Sequence, residues 1–224
     1  MTTKLEVEGR MADVQALPRT GSWRSDRLYA YLREHWFRDD TDRIDAALWP
    51  DGPPTSGSAL VEVGCGPGTY ARRLARRHPE LRVIGIDRSH HQVDLAIHET
   101  LEAGLENCYF ETGDAERLPL PDASVDAVIA SRLLMVLGDP ERAIAEVHRI
   151  LSPGGRYFVA EPRPGVLTAL PSLAMHLVDG ISGAAPRSPD DVKLADLLGT
   201  QPWTCVIRSD DERYRYAVCQ RSGE

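Results

Sequence analysis

The chain has 224 residues, of which 42% are hydrophobic and 27% charged, and a formal net charge of −8. This length and balance fit one or two globular domains that bury a core without disulfide or metal staples. They exclude collagen-like, coiled-coil and disordered chains. The acidic surplus argues against a large nucleic acid as partner. No apolar run approaches the roughly 18 residues of a membrane span, because the longest late stretch, Val166 to Ile181, is broken by Pro171. The four cysteines (65, 108, 205 and 219) form no CxxC pair, as expected of reduced cytoplasmic thiols rather than a disulfide framework or a zinc site. The first ten residues, MTTKLEVEGR, lack the apolar centre of a signal peptide. Lys4 and Lys193 are the only lysines among 26 basic residues, a skew that looks like GC-rich coding.

Residues 1–21 are weakly patterned and read as an arm. Residues 22–49 hold Trp23, Tyr29, Tyr31, Trp36, Phe37 and Trp49 among many Arg and Asp and predict one or two amphipathic helices. Pro50-Asp51-Gly52-Pro53-Pro54 ends them as a linker. The rest, 55–224, alternates regularly. ALVEV (59–63) predicts a strand, Ala71–His78 a helix with Arg72, Arg73, Arg76 and Arg77 toward solvent, and LRVIGI (81–86) a second buried strand. Ser89, with Gln92 three residues on, has capping-box spacing, and Gly104 closes that helix. CYFET (108–112) and VDAVIA (125–130) are further strands. Asp139-Pro140 opens a helix with an apolar face of Ala143, Ile144, Val147 and Ile150. Ser152-Pro153-Gly154-Gly155 stops it, and RYFVAE (156–161) follows as the fifth strand. Residues 165–198 read as helical. WTCVIRS (203–209) and RYRYAVCQ (213–220) flank an acidic turn and predict a C-terminal hairpin. Strands alternating with helices imply a mostly parallel sheet covered on both faces, with ligands at the carboxyl ends of the strands.

Four segments at those strand ends carry chemistry. Gly64-Cys65-Gly66-Pro67-Gly68 follows the first strand, where glycine permits a tight turn and close approach to a ligand. The spacing is GxGxG rather than the GxGxxG of dinucleotide folds, and there is no GK[ST] of a phosphate-cradling P-loop. Glu62, two residues before the loop, suits a cationic amino group better than a phosphate. Asp87 ends the second strand 23 residues after Gly64, the place from which a carboxylate accepts from ribose hydroxyls. Asp114 and Ala115 follow the third strand, where a carboxylate and a backbone N–H can read a base. Ser131 ends the fourth. His90 and His91 lack a third metal ligand at suitable spacing and read as solvated.

GCGPG, VIGID, GDAERLPLPDASVDAV and ILSPGG, in this order between Ala59 and Pro162, resemble the class I S-adenosylmethionine-dependent methyltransferases, in particular the small-molecule branch with the ubiquinone/menaquinone-type methyltransferase domain. The resemblance implies a Rossmann-like three-layer α/β sandwich. Its sheet would have seven mostly parallel strands, the last antiparallel, with an N-terminal helical lid over the cofactor. It implies S-adenosylmethionine as cofactor and S-adenosylhomocysteine as product. Glu62, Gly64, Cys65, Gly66 and Gly68 would hold the methionine part, Asp87 and Arg88 the ribose side, Gln92, Asp114 and Ala115 adenine, and Ser131 the methionine end. Gln92 stands where many relatives have Met, Val125 where Phe is usual, and Met135-Val136 where relatives often carry His. That last change puts proton transfer from this loop in doubt.

Acceptor contacts are expected from Tyr29, Tyr31, Arg132 and Met135 and from the 165–200 segment. His35, His176 and Glu161 are the candidate general bases, needed only if the acceptor is protonated at working pH. The expected activity is methyl transfer to an oxygen or nitrogen of a small organic acceptor in bacterial natural-product metabolism. A peptide N-terminus is a close alternative. The same pocket doing cyclisation or decarboxylation is a second, and a non-catalytic cofactor-binding module or a nicotinamide dehydrogenase are weaker rivals. No membrane partner is expected, and a homodimer is possible.

Overall fold

A computed structural model of the chain describes residues 39–163 and 194–223. Residues from Asp40 onward belong to one unit. In chain order its elements are α1 (Thr41–Leu48), β1 (Ala59–Val63), α2 (Thr69–Arg77), β2 (Arg82–Asp87), α3 (His90–Glu102) and β3 (Cys108–Thr112), then β4 (Val125–Ser131), a single 3-10 turn (Leu134–Val136), α4 (Pro140–Ile150), β5 (Leu151–Pro162), α5 (Leu194–Leu198), β6 (Trp203–Asp210) and β7 (Tyr214–Arg221). The helix starts follow from local capping. Ser89 Oγ accepts from Gln92 N, and Asp139 accepts from Arg142 N with Pro140 in the first turn. Gly104, at φ +64°, follows the end of α3.

The seven strands are ordered β3-β2-β1-β4-β5-β7-β6. The first five pair in parallel, and β7 inserts antiparallel between β5 and β6, so the expected sheet is observed. Its two faces follow the period-2 alternation of the strands. Leu60, Val83, Ile129 and Phe158 face α1 and α2 through Ile44, Leu48, Tyr70 and Leu74. Val61, Val63, Val128, Tyr157 and Val159 face α4 through Ala143, Ile144, Val147 and Ile150. Helix α1, within the stretch read from sequence as lid and linker, thus packs on the sheet with Ile44 and Leu48 buried. Asp40, just before it, accepts from the Tyr216 hydroxyl of β7 at 3.3 Å.

One boundary is corrected. The fifth strand begins directly after α4 at Leu151, which pairs with Val125 before the register jumps to Arg156 opposite Ala127. Ser152-Pro153-Gly154-Gly155 is therefore a bulge inside the ladder rather than a linker before it. Gly154 takes φ +80°, and a Cβ on Gly155 would stand 2.8 Å from the Ser152 carbonyl and 3.0 Å from that of Asp126. Among the described residues no helix is long and apolar enough to cross a membrane.

Candidate functional site

Chain order reverses between β1 and β4, and the loops leaving the carboxyl ends of β1, β2, β3 and β4 converge there. The loop after β1 is held open by its backbone. Gly64, Gly66 and Gly68 sit at φ +69°, +53° and +72°, the left-handed region that costs any other residue energy. Gly64 also lies under a side chain, since a Cβ there would be 2.7 Å from Leu133 Cδ1. Gly64 N and Cys65 N both donate to the Ile86 carbonyl, at 2.7 and 3.1 Å, so the loop is stitched to the end of β2. The Arg72 guanidinium donates to the Pro67 carbonyl. This arginine, expected on the solvent side of α2, braces the loop instead.

Asp87 completes the stitch. Its Oδ2 accepts from Gly66 N at 2.8 Å and its Oδ1 from Ser89 N at 3.0 Å. A carboxylate offers about four acceptor positions, and these two bonds fix its orientation while it remains half-exposed at the strand tip. Glu62 is buried, and its Oε2 accepts from Ala71 N at 2.8 Å. It thereby satisfies an otherwise unpaired donor in the first turn of α2 and places negative charge at the positive end of that helix.

On the other side of Asp87 lies the first turn of α3. Arg88 joins the two, and His90 Nδ1 meets Thr112 Oγ1 at 3.0 Å, tying this turn to the end of β3. His91 is half-buried rather than solvated. Gln92 is 8% exposed, and its Oε1 is buried without a hydrogen-bond partner. Asp114 is exposed, with Oδ1 accepting from Glu116 N at 2.9 Å, while Ala115 is buried. No group of three or more His, Cys, Asp or Glu side chains suited to a metal ion occurs among the described residues.

The loop after β4 is the most constrained. Ser131 is buried, and Arg132 takes φ +58° while its N–H donates to the Ala160 carbonyl at 2.7 Å. A non-glycine residue in this region stores strain, and such strain concentrates at functional sites. The Arg132 guanidinium hydrogen-bonds the hydroxyls of Tyr214 and Tyr70, which come from the start of β7 and the first turn of α2. Glu161, at the end of β5, is 2% exposed, and its Oε1 accepts from Leu133 N at 3.0 Å and Leu134 N at 2.8 Å. Its Oε2 has no partner. Burial pushes this carboxyl up to about 7, against the backbone N–H groups of Leu134, Leu133 and Met135 that pull it down. Met135 itself lies in the apolar core beside Leu134 and Leu137.

Of the sequence-derived site residues, the structure gathers Glu62, Gly64, Cys65, Gly66, Gly68, Asp87, Arg88, Gln92, Asp114, Ala115, Ser131, Arg132 and Glu161 on the loops and strand ends at one edge of the sheet. Tyr29, Tyr31, His35 and His176 lie outside the described residues. Leu133, Tyr70 and Tyr214 were missed. Tyr70 directly follows the glycine loop, a signal within reach. Tyr214 joins only through antiparallel pairing of distant strands. The features present fit a nucleoside bearing an amino-acid tail. The loop after β1 is a glycine cradle, Asp87 sets a half-exposed carboxylate at the tip of β2, and the Gln92 amide oxygen is a buried acceptor without a partner in the first turn of α3.

Residues 61–159 match the family described as "Methyltransferase domain". The chain is 34% identical over 145 residues to a demethylmenaquinone methyltransferase of Deinococcus radiodurans, covering 59% of each chain. It is 34% identical over 161 residues to the 27-O-demethylrifamycin SV methyltransferase of Amycolatopsis mediterranei, covering 64% of this chain and 57% of that one. The chain spans less than two thirds of the length of the curated relatives it matches. A solved SAM-dependent methyltransferase from Aquifex aeolicus superposes with a TM-score of 0.63 at 17% identity, covering 90% of this chain and 99% of that one, which supports the fold. With this sheet order, this glycine loop and these matches, residues 61–159 form a methyltransferase domain similar to those of the S-adenosylmethionine-dependent methyltransferases.

Proposed function

We propose that the protein transfers the methyl group of S-adenosylmethionine to an oxygen or nitrogen of a small organic acceptor, in the cytoplasm and in bacterial natural-product metabolism. The observation that carries this reading is the interlock of the glycine loop with Asp87. One carboxylate holds Gly66 N at 2.8 Å, and a Cβ on Gly64 would stand 2.7 Å from Leu133 Cδ1, so the loop keeps bare backbone next to the carboxylate that would take the ribose. Relatives whose names specify methylation of a demethylrifamycin, or an O-methyltransferase, support oxygen as the target and a small molecule as the acceptor.

The cofactor supplies an activated methyl on a sulfonium that is already a good leaving group. The chain's task is to orient the acceptor behind that carbon and to exclude water. Asp87 would hold the ribose, and Gly64, Gly66 and Gly68 would carry the amino-acid tail, with Glu62 on the side of its amino group. Arg132, set between Tyr70 and Tyr214, lines the acceptor side. A proton is removed by His35, His176 or Glu161 where the acceptor carries one. Glu161 has Oε1 committed to two backbone N–H groups, which leaves Oε2 for that task.

Incubation with methyl-labelled cofactor and a panel of phenols, alcohols, amines and peptides bearing a free N-terminus tests the reading. Label on one of these classes is expected. No label on any of them, with substrate converted at unchanged mass or with loss of the mass of carbon dioxide, would establish cyclisation or decarboxylation respectively instead.

A further inference from the structure

We propose that Phe110 is a positioning residue for the cofactor's amino-acid tail, its ring acting through Gly68 as the support of the glycine loop. This rests on the cofactor reading above. Ladder partners place Glu62, Gly85 and Phe110 in one row across β1, β2 and β3. Partners in such a row project from the same face of the sheet, here the face covered by α2. The two outer members of the row both reach the start of α2. Glu62 Oε2 takes Ala71 N at 2.8 Å. The middle member has no side chain, and the Phe110 ring lies across the gap. A Cβ on Gly85 would run into Phe110 Cδ1 and Cε1, and a Cβ on Gly68 into Phe110 Cζ and Cε1. One ring therefore touches both the centre of β2 and the last glycine of the loop. A glycine inside a strand marks the close approach of another group, and at Gly85 that group is the ring of its cross-strand neighbour.

Gly68 is where the loop ends and α2 begins. It is the N-cap of α2 at φ +72°, and its N–H donates to the Cys65 carbonyl at 3.0 Å. Backbone that must lie against a ligand carries no side chain to hold itself in place, so its shape is set by what packs beneath it. The Gly64–Gly66 half of the loop is held by hydrogen bonds to the Ile86 carbonyl and to Asp87. The Gly68 half rests on the Phe110 ring. That socket is narrow: Ala96 Cβ is 3.2 Å from where a Cβ on Gly68 would stand, and Cys65 Sγ is 3.0 Å from where one on Gly85 would stand. A smaller side chain at 110 leaves a gap directly under the loop, and the effect reaches the tail through the backbone of Gly68.

The test compares two ligands by titration calorimetry of the full chain. S-adenosylhomocysteine has the tail; 5′-methylthioadenosine has the nucleoside and the sulfur without it. Phe110→Leu should bind S-adenosylhomocysteine about tenfold more weakly than wild type, and 5′-methylthioadenosine within about twofold of wild type. Phe110→Met serves the same comparison should Phe110→Leu not fold. Gly85→Ala should also weaken S-adenosylhomocysteine binding, because its methyl pushes the ring into the loop. Gly85→Ala combined with Phe110→Leu should bind it more tightly than Gly85→Ala alone, since the shorter side chain makes room for the methyl. Equal weakening of both ligands would make the ring a general packing group and overturn the assignment. So would unchanged S-adenosylhomocysteine affinity in Phe110→Leu, or a double variant weaker than Gly85→Ala. Absence of any S-adenosylhomocysteine binding to wild type would overturn the cofactor reading itself, and this assignment with it.

Discussion

Replacing Glu161 by Gln removes a charge from the floor of the site while keeping the shape of the side chain. The carboxyl is 2% exposed, and burial raises it from 4.5 to about 7, so the folded protein binds its proton more tightly than the unfolded chain does. A group raised in this way contributes stability that is fully present below about pH 4.5 and is lost as pH rises through about 7. The displacement corresponds to about 3 kcal/mol. The Glu161→Gln side chain has no such dependence. Its amide oxygen still accepts from Leu133 N and Leu134 N, more weakly because the acceptor is uncharged, and it places an amide N–H₂ where Oε2 had no partner. These costs are constant with pH, and all other titrating groups are shared. The difference in unfolding free energy, Glu161→Gln minus wild type, should therefore rise by about 3 kcal/mol between about pH 4.5 and about pH 8. Urea denaturation of both proteins at half-unit steps measures it. Curves that stay parallel across this range would refute the assignment of a buried, proton-retaining carboxyl.

Asp87→Ala leaves Gly66 N and Ser89 N without their acceptor and removes the ribose partner; S-adenosylhomocysteine affinity by calorimetry should fall at least tenfold, about 1.4 kcal/mol, in a protein that still folds. Gly64→Ala forces a Cβ at φ +69° to within 2.7 Å of Leu133 Cδ1; a loss of about 1–3 kcal/mol in stability should appear as a lower urea midpoint together with weaker cofactor binding. Arg132→Ala keeps the backbone at φ +58° and loses both tyrosine contacts, whereas Arg132→Gly loses the contacts and relieves the strain; thermal melts should place the glycine variant above the alanine variant by about 1 kcal/mol.

The legible part of the chain was the part ruled by near neighbours. Short apolar runs bounded by glycine, proline or polar residues reported β1, β2 and β4 because these strands are buried nearly throughout, and Ser89, Asp139 and Gly104 marked helix ends because capping acts over three or four residues. The glycine loop with Asp87 could be read for the same reason. A turn needing positive φ shows itself as glycine, and a carboxylate at the end of a strand as a break in an apolar run. The Ser-Pro-Gly-Gly stretch misled because its composition is that of a linker. Only the pairing of Val125 with Leu151 shows that the strand had already begun.

Local pattern thus determined where most strands and helices lie, that the sheet is mostly parallel, and that a ligand is expected at the carboxyl ends of its strands. Contacts between distant residues were decided by register. Glu161 reaches Leu133 and Leu134 because β4 and β5 lie side by side with Ser131 opposite Ala160. Tyr214 meets Arg132 because β7 runs antiparallel beside β5. Arg72 turns inward because the loop it follows leaves the Pro67 carbonyl within its reach. Burial works in the same way. The hydrogen-bonding capacity of Gln92 and Glu161 is written in their chemistry. That one amide oxygen and one carboxylate oxygen end without partners depends on which atoms the finished fold brings beside them.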